Sequence, residues 1–139
     1  MSRRIARQTV LQALFELDTT NGDIQEALET RLEDVELEDR DEQFVRRTVA
    51  GVWDNREQLD RAISYFAKDW AVERIARVDR NILRFAIYEI RYVDDVPVKV
   101  GINEAIELAK RFGDYNSPKF INGILGAVHD YLETDKPNE

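Results

Sequence analysis

VDRNILRFAIYEIRY, residues Val78 to Tyr92, decides the fold. Ile82, Leu83, Ala86, Ile87 and Ile90 recur at helical spacing and share one face, with Phe85 and Tyr88 on its flanks. No other segment is as apolar, so this one reads as the central helix of an all-α protein. It falls short of the ~20 apolar residues that a membrane span needs, and no other stretch comes closer.

Helical periodicity continues on both sides of it. Downstream, Pro97 opens a helix at a position where its missing N–H costs nothing, Ile102, Ala105, Ile106 and Ala109 face the core, and Gly113 closes it. The last helix starts at Ser117-Pro118 and buries Phe120, Ile121, Ile124, Leu125, Val128 and Leu132, leaving a loose tail from Asp135 to Glu139. Upstream, Leu59, Ile63 and Phe66 mark a helix running from the break at Asp54-Asn55 to about Lys68, followed by a short piece from Trp70 to Ile75. The third helix, about Asp39 to Trp53, carries Phe44, Val45, Val49 and Val52, and the second, Asp23 to about Asp34, carries Ile24, Ala27, Leu28 and Leu32. The first, Ser2 to Leu17, has Ser2 as a candidate cap, buries Ala6, Val10, Ala13, Leu14 and Leu17, and ends at Asn21-Gly22. With no linker, repeat or strand pattern, residues 1–139 read as one domain, soluble and cytoplasmic.

Composition closes several routes to function. Without cysteine there is no disulfide, thiolate metal site or cysteine nucleophile. The one histidine, His129, stands near the end of the last helix with no triad pattern around it, and no phosphate-loop or metal-site spacing occurs. Gly123 and Gly126 fall inside a helical pattern, where close helix packing is the simple explanation. The sequence therefore predicts no enzyme, no cofactor and no metal.

A net charge of −8 argues against a nucleic-acid partner until its distribution is read. Asp18 to Glu42 holds eleven acidic and two basic residues, a balance of −9 that leaves the rest near +1. Two candidate sites remain. Arg3, Arg4 and Arg7 cluster at a helix N-terminus, where cations oppose the helix dipole by about 0.3 to 1 kcal/mol each. Helix stability does not explain them; phosphate binding does, and so do salt bridges to the acidic second and third helices. The other site is Tyr115, Asn116, Ser117, Pro118, Lys119 and Phe120, a turn into a helix N-terminus whose N–H groups suit a phosphate and whose rings suit a base. An ordinary helix start with a core phenylalanine accounts for the same residues.

VPVKVGINEAIELAKRFGDYNSPKFINGIL, Val96 to Leu125, closely resembles the carboxy-terminal signature of the NusB family. RVDRNILRFAIYEI, Arg77 to Ile90, resembles its central helix, and RRIARQTVLQALFEL, Arg3 to Leu17, its arginine-rich first helix. The resemblance implies about seven helices in two packed sub-bundles and a role in processive transcription antitermination, especially of ribosomal RNA operons. It implies single-stranded boxA RNA as ligand and NusE, the tenth small-subunit ribosomal protein, as partner, the complex then joining elongating RNA polymerase with other Nus factors. Some relatives dimerise, so a homodimer is also implied. The family's RNA-binding residues fall on Arg3, Arg4, Arg7, Asn116, Ser117, Lys119 and Phe120, which makes the two patches one RNA surface, and its NusE contact falls around Asp79, Arg80 and Arg84. Ile5 stands where relatives often carry a basic residue and Phe15 where they carry tyrosine, which predicts weaker binding to RNA alone and more dependence on NusE.

Two rivals stand beside this reading. The amino-terminal domain of a ribosomal RNA cytosine methyltransferase is also NusB-like, but the catalytic domain that follows it there is not present in this chain. A non-catalytic helical protein-interaction module, with structural arginines, is the alternative from a different class.

Overall fold

A computed structural model describes residues 2–134. It holds seven α-helices and no strand among those residues: α1 (Ser2–Thr20), α2 (Ile24–Glu33), α3 (Asp39–Asp54), α4 (Arg56–Phe66), α5 (Arg77–Tyr92), α6 (Val98–Phe112) and α7 (Ser117–Thr134), with a single 3₁₀ turn at Val72–Arg74. None of the helices is long and apolar enough to cross a membrane. The expected Ser2 side-chain cap and the expected loose tail, 135–139, lie outside the described residues. The chain divides after Arg56 into two compact units, matching the two helical sub-bundles that the sequence implied.

In the first unit α1 packs on α2 and α3. Its buried stripe is Ala6, Val10, Ala13, Leu14 and Leu17, as the periodicity predicts, with Leu11 added. Each such Leu or Val removed from water contributes about 1.5 to 3 kcal/mol. Asn21 ends α1 in the left-handed region, φ 52°, its N–H bonded to the Leu17 carbonyl at 2.8 Å. Asparagine tolerates that conformation through its short polar side chain, so Asn21 makes the stop and Gly22 follows with a negative φ. Asp23 caps α2 by accepting the Glu26 N–H at 3.0 Å.

The second unit packs α5 against α6 and α7, which also pack on each other. All seven residues from Asn81 to Ile87 are buried. The sequence placed Phe85 on the flank and Ile90 inside; Phe85 is in fact buried and Ile90 half-buried. Neighbours on two sides hide more than one stripe of α5 along its middle, and coverage thins towards its C-terminal end. Leu132, assigned to the core of α7, is exposed for the same reason. In α6, Leu108 is buried where Ile106 was expected, and Ile106 is half-buried.

Two glycine expectations also change. A Cβ on Gly123 or Gly126 would meet nothing within 4 Å, so close helix packing does not account for either. Gly113 does answer to sterics: a Cβ there would collide with the Ser117 side chain and sit 2.9 Å from the Ala109 carbonyl oxygen. The tight α6–α7 turn needs the missing side chain.

Candidate nucleic-acid interface

The three amino-terminal arginines begin on one helix turn and end in different surroundings. Arg3 pairs through Nε with the Asp41 carboxylate of α3 at 3.0 Å, and its guanidinium carbon lies 4.1 Å from the centre of the Phe44 ring. Arg7 is buried, 6% exposed, with its guanidinium 5.8 Å from the same ring centre. Arg4 is exposed. The salt-bridge reading of this cluster thus holds for Arg3, and Arg7 is buried with its guanidinium near the face of Phe44.

This division is testable by stability alone. Arg7→Ala is expected to lose about 1 to 2 kcal/mol, through lost packing and the lost cation–π contact, and Arg4→Ala to stay within about 0.5 kcal/mol of the parent. Thermal melts followed by circular dichroism check both. Coincident melts for Arg7→Ala and the parent would mean that Arg7 is as dispensable to the fold as Arg4.

The α6–α7 turn is organised around Asp114. Its Oδ1 accepts the N–H of Asn116 at 2.8 Å and of Ser117 at 3.1 Å, while the Ser117 hydroxyl accepts the Asp114 N–H at 2.9 Å. Ser117 is buried in this knot. A carboxylate of the chain therefore already occupies two of the amides that were expected to receive a phosphate, and the charge it adds there opposes a second anion. What the turn presents outward is Tyr115, 96% exposed, with Asn116 and Lys119.

Behind the turn lies a shallow groove of about 430 Å³, walled by Lys68, Asp69, Trp70, Asn116, Lys119, Phe120 and Gly123 among others. Trp70 is 54% exposed and meets Phe120 edge to face, ring centres 5.9 Å apart. Two lysines, set against the single carboxylate of Asp69, and two aromatic rings can hold a phosphate and stack a base at once. Gly123 leaves the groove open where a side chain would fill it. Sequence reasoning missed Lys68 and Trp70 because they fall in the irregular segment between α4 and α5, outside every helical stripe. A tryptophan two residues beyond a lysine in such a segment, with no core position to occupy, was the available signal.

The proposed partner residues separate as well. Arg84 is buried and forks onto Asp60 of α4, Nε to Oδ1 at 2.7 Å and Nη2 to Oδ2 at 2.8 Å, while Nη1 reaches the Asn81 side-chain oxygen at 3.1 Å. It is an internal brace and offers no surface to a partner. Arg80 is half-buried and donates to the Val72 carbonyl at 3.3 Å. Asp79 is buried, and its Oδ1 has no hydrogen-bond partner. Burial pushes its carboxyl above the usual aspartate range, an effect that the Ser117 hydroxyl bond opposes and the neighbouring Asp114 charge reinforces.

A sequence model of the NusB family matches residues 4–130. The transcription antitermination protein NusB of Bacillus subtilis (strain 168) is 46% identical over 133 residues, covering 96% of this chain and 98% of that protein. Among solved structures, T. maritima NusB is 38% identical with a TM-score of 0.86, covering 92% of this chain and 90% of its own. A further neighbour in fold, 22% identical with a TM-score of 0.84 and covering 94% of this chain and 97% of its own, comes from a complex of the antitermination factors NusB and NusE with dsRNA.

Proposed function

The chain belongs to the NusB family, and on that footing we propose that it is a transcription antitermination factor that binds single-stranded boxA-type RNA together with NusE. In this role it supports processive transcription of ribosomal RNA operons, within a complex that joins elongating RNA polymerase and other Nus factors in the cytoplasm. The observation that carries the reading is the groove in which Trp70 and Phe120 stand beside Lys68 and Lys119. It combines stacking faces with cations at the turn where the family signature lies. In the first unit, by itself, the family's RNA-binding positions fall on Arg3, Arg4 and Arg7, of which Arg3 and Arg4 are exposed.

The contact with NusE is placed around Arg80, which is half-buried where Asp79 and Arg84 are buried. The protein-interaction module without RNA draws support from one observation, the commitment of Arg3 and Arg7 to α3. Fluorescence anisotropy with a boxA RNA and a scrambled control, with and without NusE, decides between them. The adapter reading expects tighter binding of boxA, strengthened by NusE, and a salt slope near about −2 for some three cations on a single strand. Equal affinity for both RNAs in both conditions would leave only the interaction module.

A further inference from the structure

A second groove lies within the carboxy-terminal unit; it shares Phe66 with the first and otherwise has a lining of its own. It has a volume of about 750 Å³, in the range of pockets that enclose a ligand or anchoring side chains. Its floor is aliphatic, with Ile87, Ile90 and Val128 from α5 and α7. Tyr65, Phe66 and Tyr131 form an edge-to-face triad along one wall, ring centres 4.9 to 5.9 Å apart. Large apolar side chains are left in water here: Tyr65, Tyr92, Tyr131 and Leu132 are all exposed. Leu132 belongs to the helical stripe that the rest of α7 buries, so its exposure leaves a core-type side chain facing solvent.

The charge of the groove is the reverse of the chain's. Arg61 and Arg91 line it and no carboxylate does, in a protein with 28 acidic and 20 basic residues. We propose that this groove docks a short acidic segment of a protein partner, its aliphatic or aromatic side chains against Ile87, Ile90 and Leu132 and its carboxylates on Arg61 and Arg91. Fork-shaped guanidiniums suit carboxylates, and the exposed tyrosines supply rigid contact area at low entropic cost. A second copy of the chain fits less well, because a two-fold contact centred here would set Arg61 and Arg91 against the same arginines. A nucleic acid fits less well too, because its backbone brings no aliphatic side chains to the floor of Ile87, Ile90 and Val128.

The test uses the full chain and two short fluorescein-labelled peptides, one of Leu and Glu at helical spacing and one of Leu and Lys at the same positions. The Leu/Glu peptide is expected to bind at least about tenfold more tightly, and Arg61→Glu with Arg91→Glu to remove that preference while leaving boxA RNA affinity and the melting temperature unchanged. Equal binding of the two peptides, or an unaffected double variant, overturns the proposal. So does competition by boxA RNA, a dimer in sedimentation that the double variant dissociates, or a tenfold gain in peptide affinity on removing residues 135–139. Each of these would assign the groove to another occupant, and none bears on whether the protein binds RNA through Trp70.

Discussion

Replacing Asp60 by alanine is expected to lower the unfolding free energy by about 3 to 5 kcal/mol, and replacing Arg84 by alanine to lower it by somewhat less. The fork between them joins α4 to α5 with both bonds at or under 2.8 Å, and the Arg84 side chain is only 6% exposed. The asymmetry follows from solvent. Without Arg84, the Asp60 carboxylate still reaches water through the 28% of its side chain that is exposed. Without Asp60, the guanidinium stays buried and loses both charge-assisted acceptors at once. Urea unfolding checks the order, since with a slope of about 1 to 3 kcal/mol/M a loss of 3 kcal/mol moves the midpoint by about 1 M or more. A Trp53→Phe background lets Trp70, in the same unit as the pair, report the transition. Arg84→Met with Asp60→Ala should recover much of the loss, because an apolar side chain of similar volume needs no counter-charge. Losses under about 0.5 kcal/mol for both single variants would show that the fork does not hold the unit together, and would return Arg84 to the partner surface on which the family resemblance placed it.

The Arg84 result illustrates what the sequence could and could not carry. Helix positions were legible because each element closes its own hydrogen bonds and shows its buried face as a 3.6-residue rhythm. α1 and most of α7 follow that rhythm residue by residue. It fails where burial is decided by neighbours: Phe85 is inside and Leu132 outside because of what packs beside them, which no single helix encodes. Charge has the same limit. An arginine on a partly apolar helix face reads as surface until a carboxylate 24 residues away is seen to reach it. The amino-terminal cluster shows the same limit, Arg3 held by Asp41 of α3 and Arg7 buried beside Phe44. At the α6–α7 turn the chain supplied its own anion, Asp114, for a helix start that looked ready for a phosphate. The stacking groove lay beyond periodicity altogether, since Trp70 sits where no helical pattern applies.

That groove carries the largest functional prediction. Trp70→Ala is expected to weaken boxA binding by about 1 to 3 kcal/mol, roughly fivefold to 150-fold, which is what one stacked base contributes. The ring is more than half exposed and contacts Phe120 only edge to face, so its removal should cost the fold little and the loss should appear in RNA affinity alone. Phe120→Ala is the less clean probe, because Phe120 is half-buried in α7 and its truncation also removes packing. Trp70→Phe keeps a stacking face and should retain most of the affinity. Lys119→Ala should lower the salt slope by about 0.7 with a milder loss, the signature of a phosphate contact on a single strand. Tyr115→Ala separates two geometries: if it and not Trp70→Ala carries the loss, the base stacks at the tip of the turn, and the groove behind it is no binding site. A Trp70→Ala protein that binds boxA within about twofold of the parent, with Tyr115→Ala equally silent, would remove stacking from the account and leave the two lysines of the groove as a nonspecific electrostatic patch.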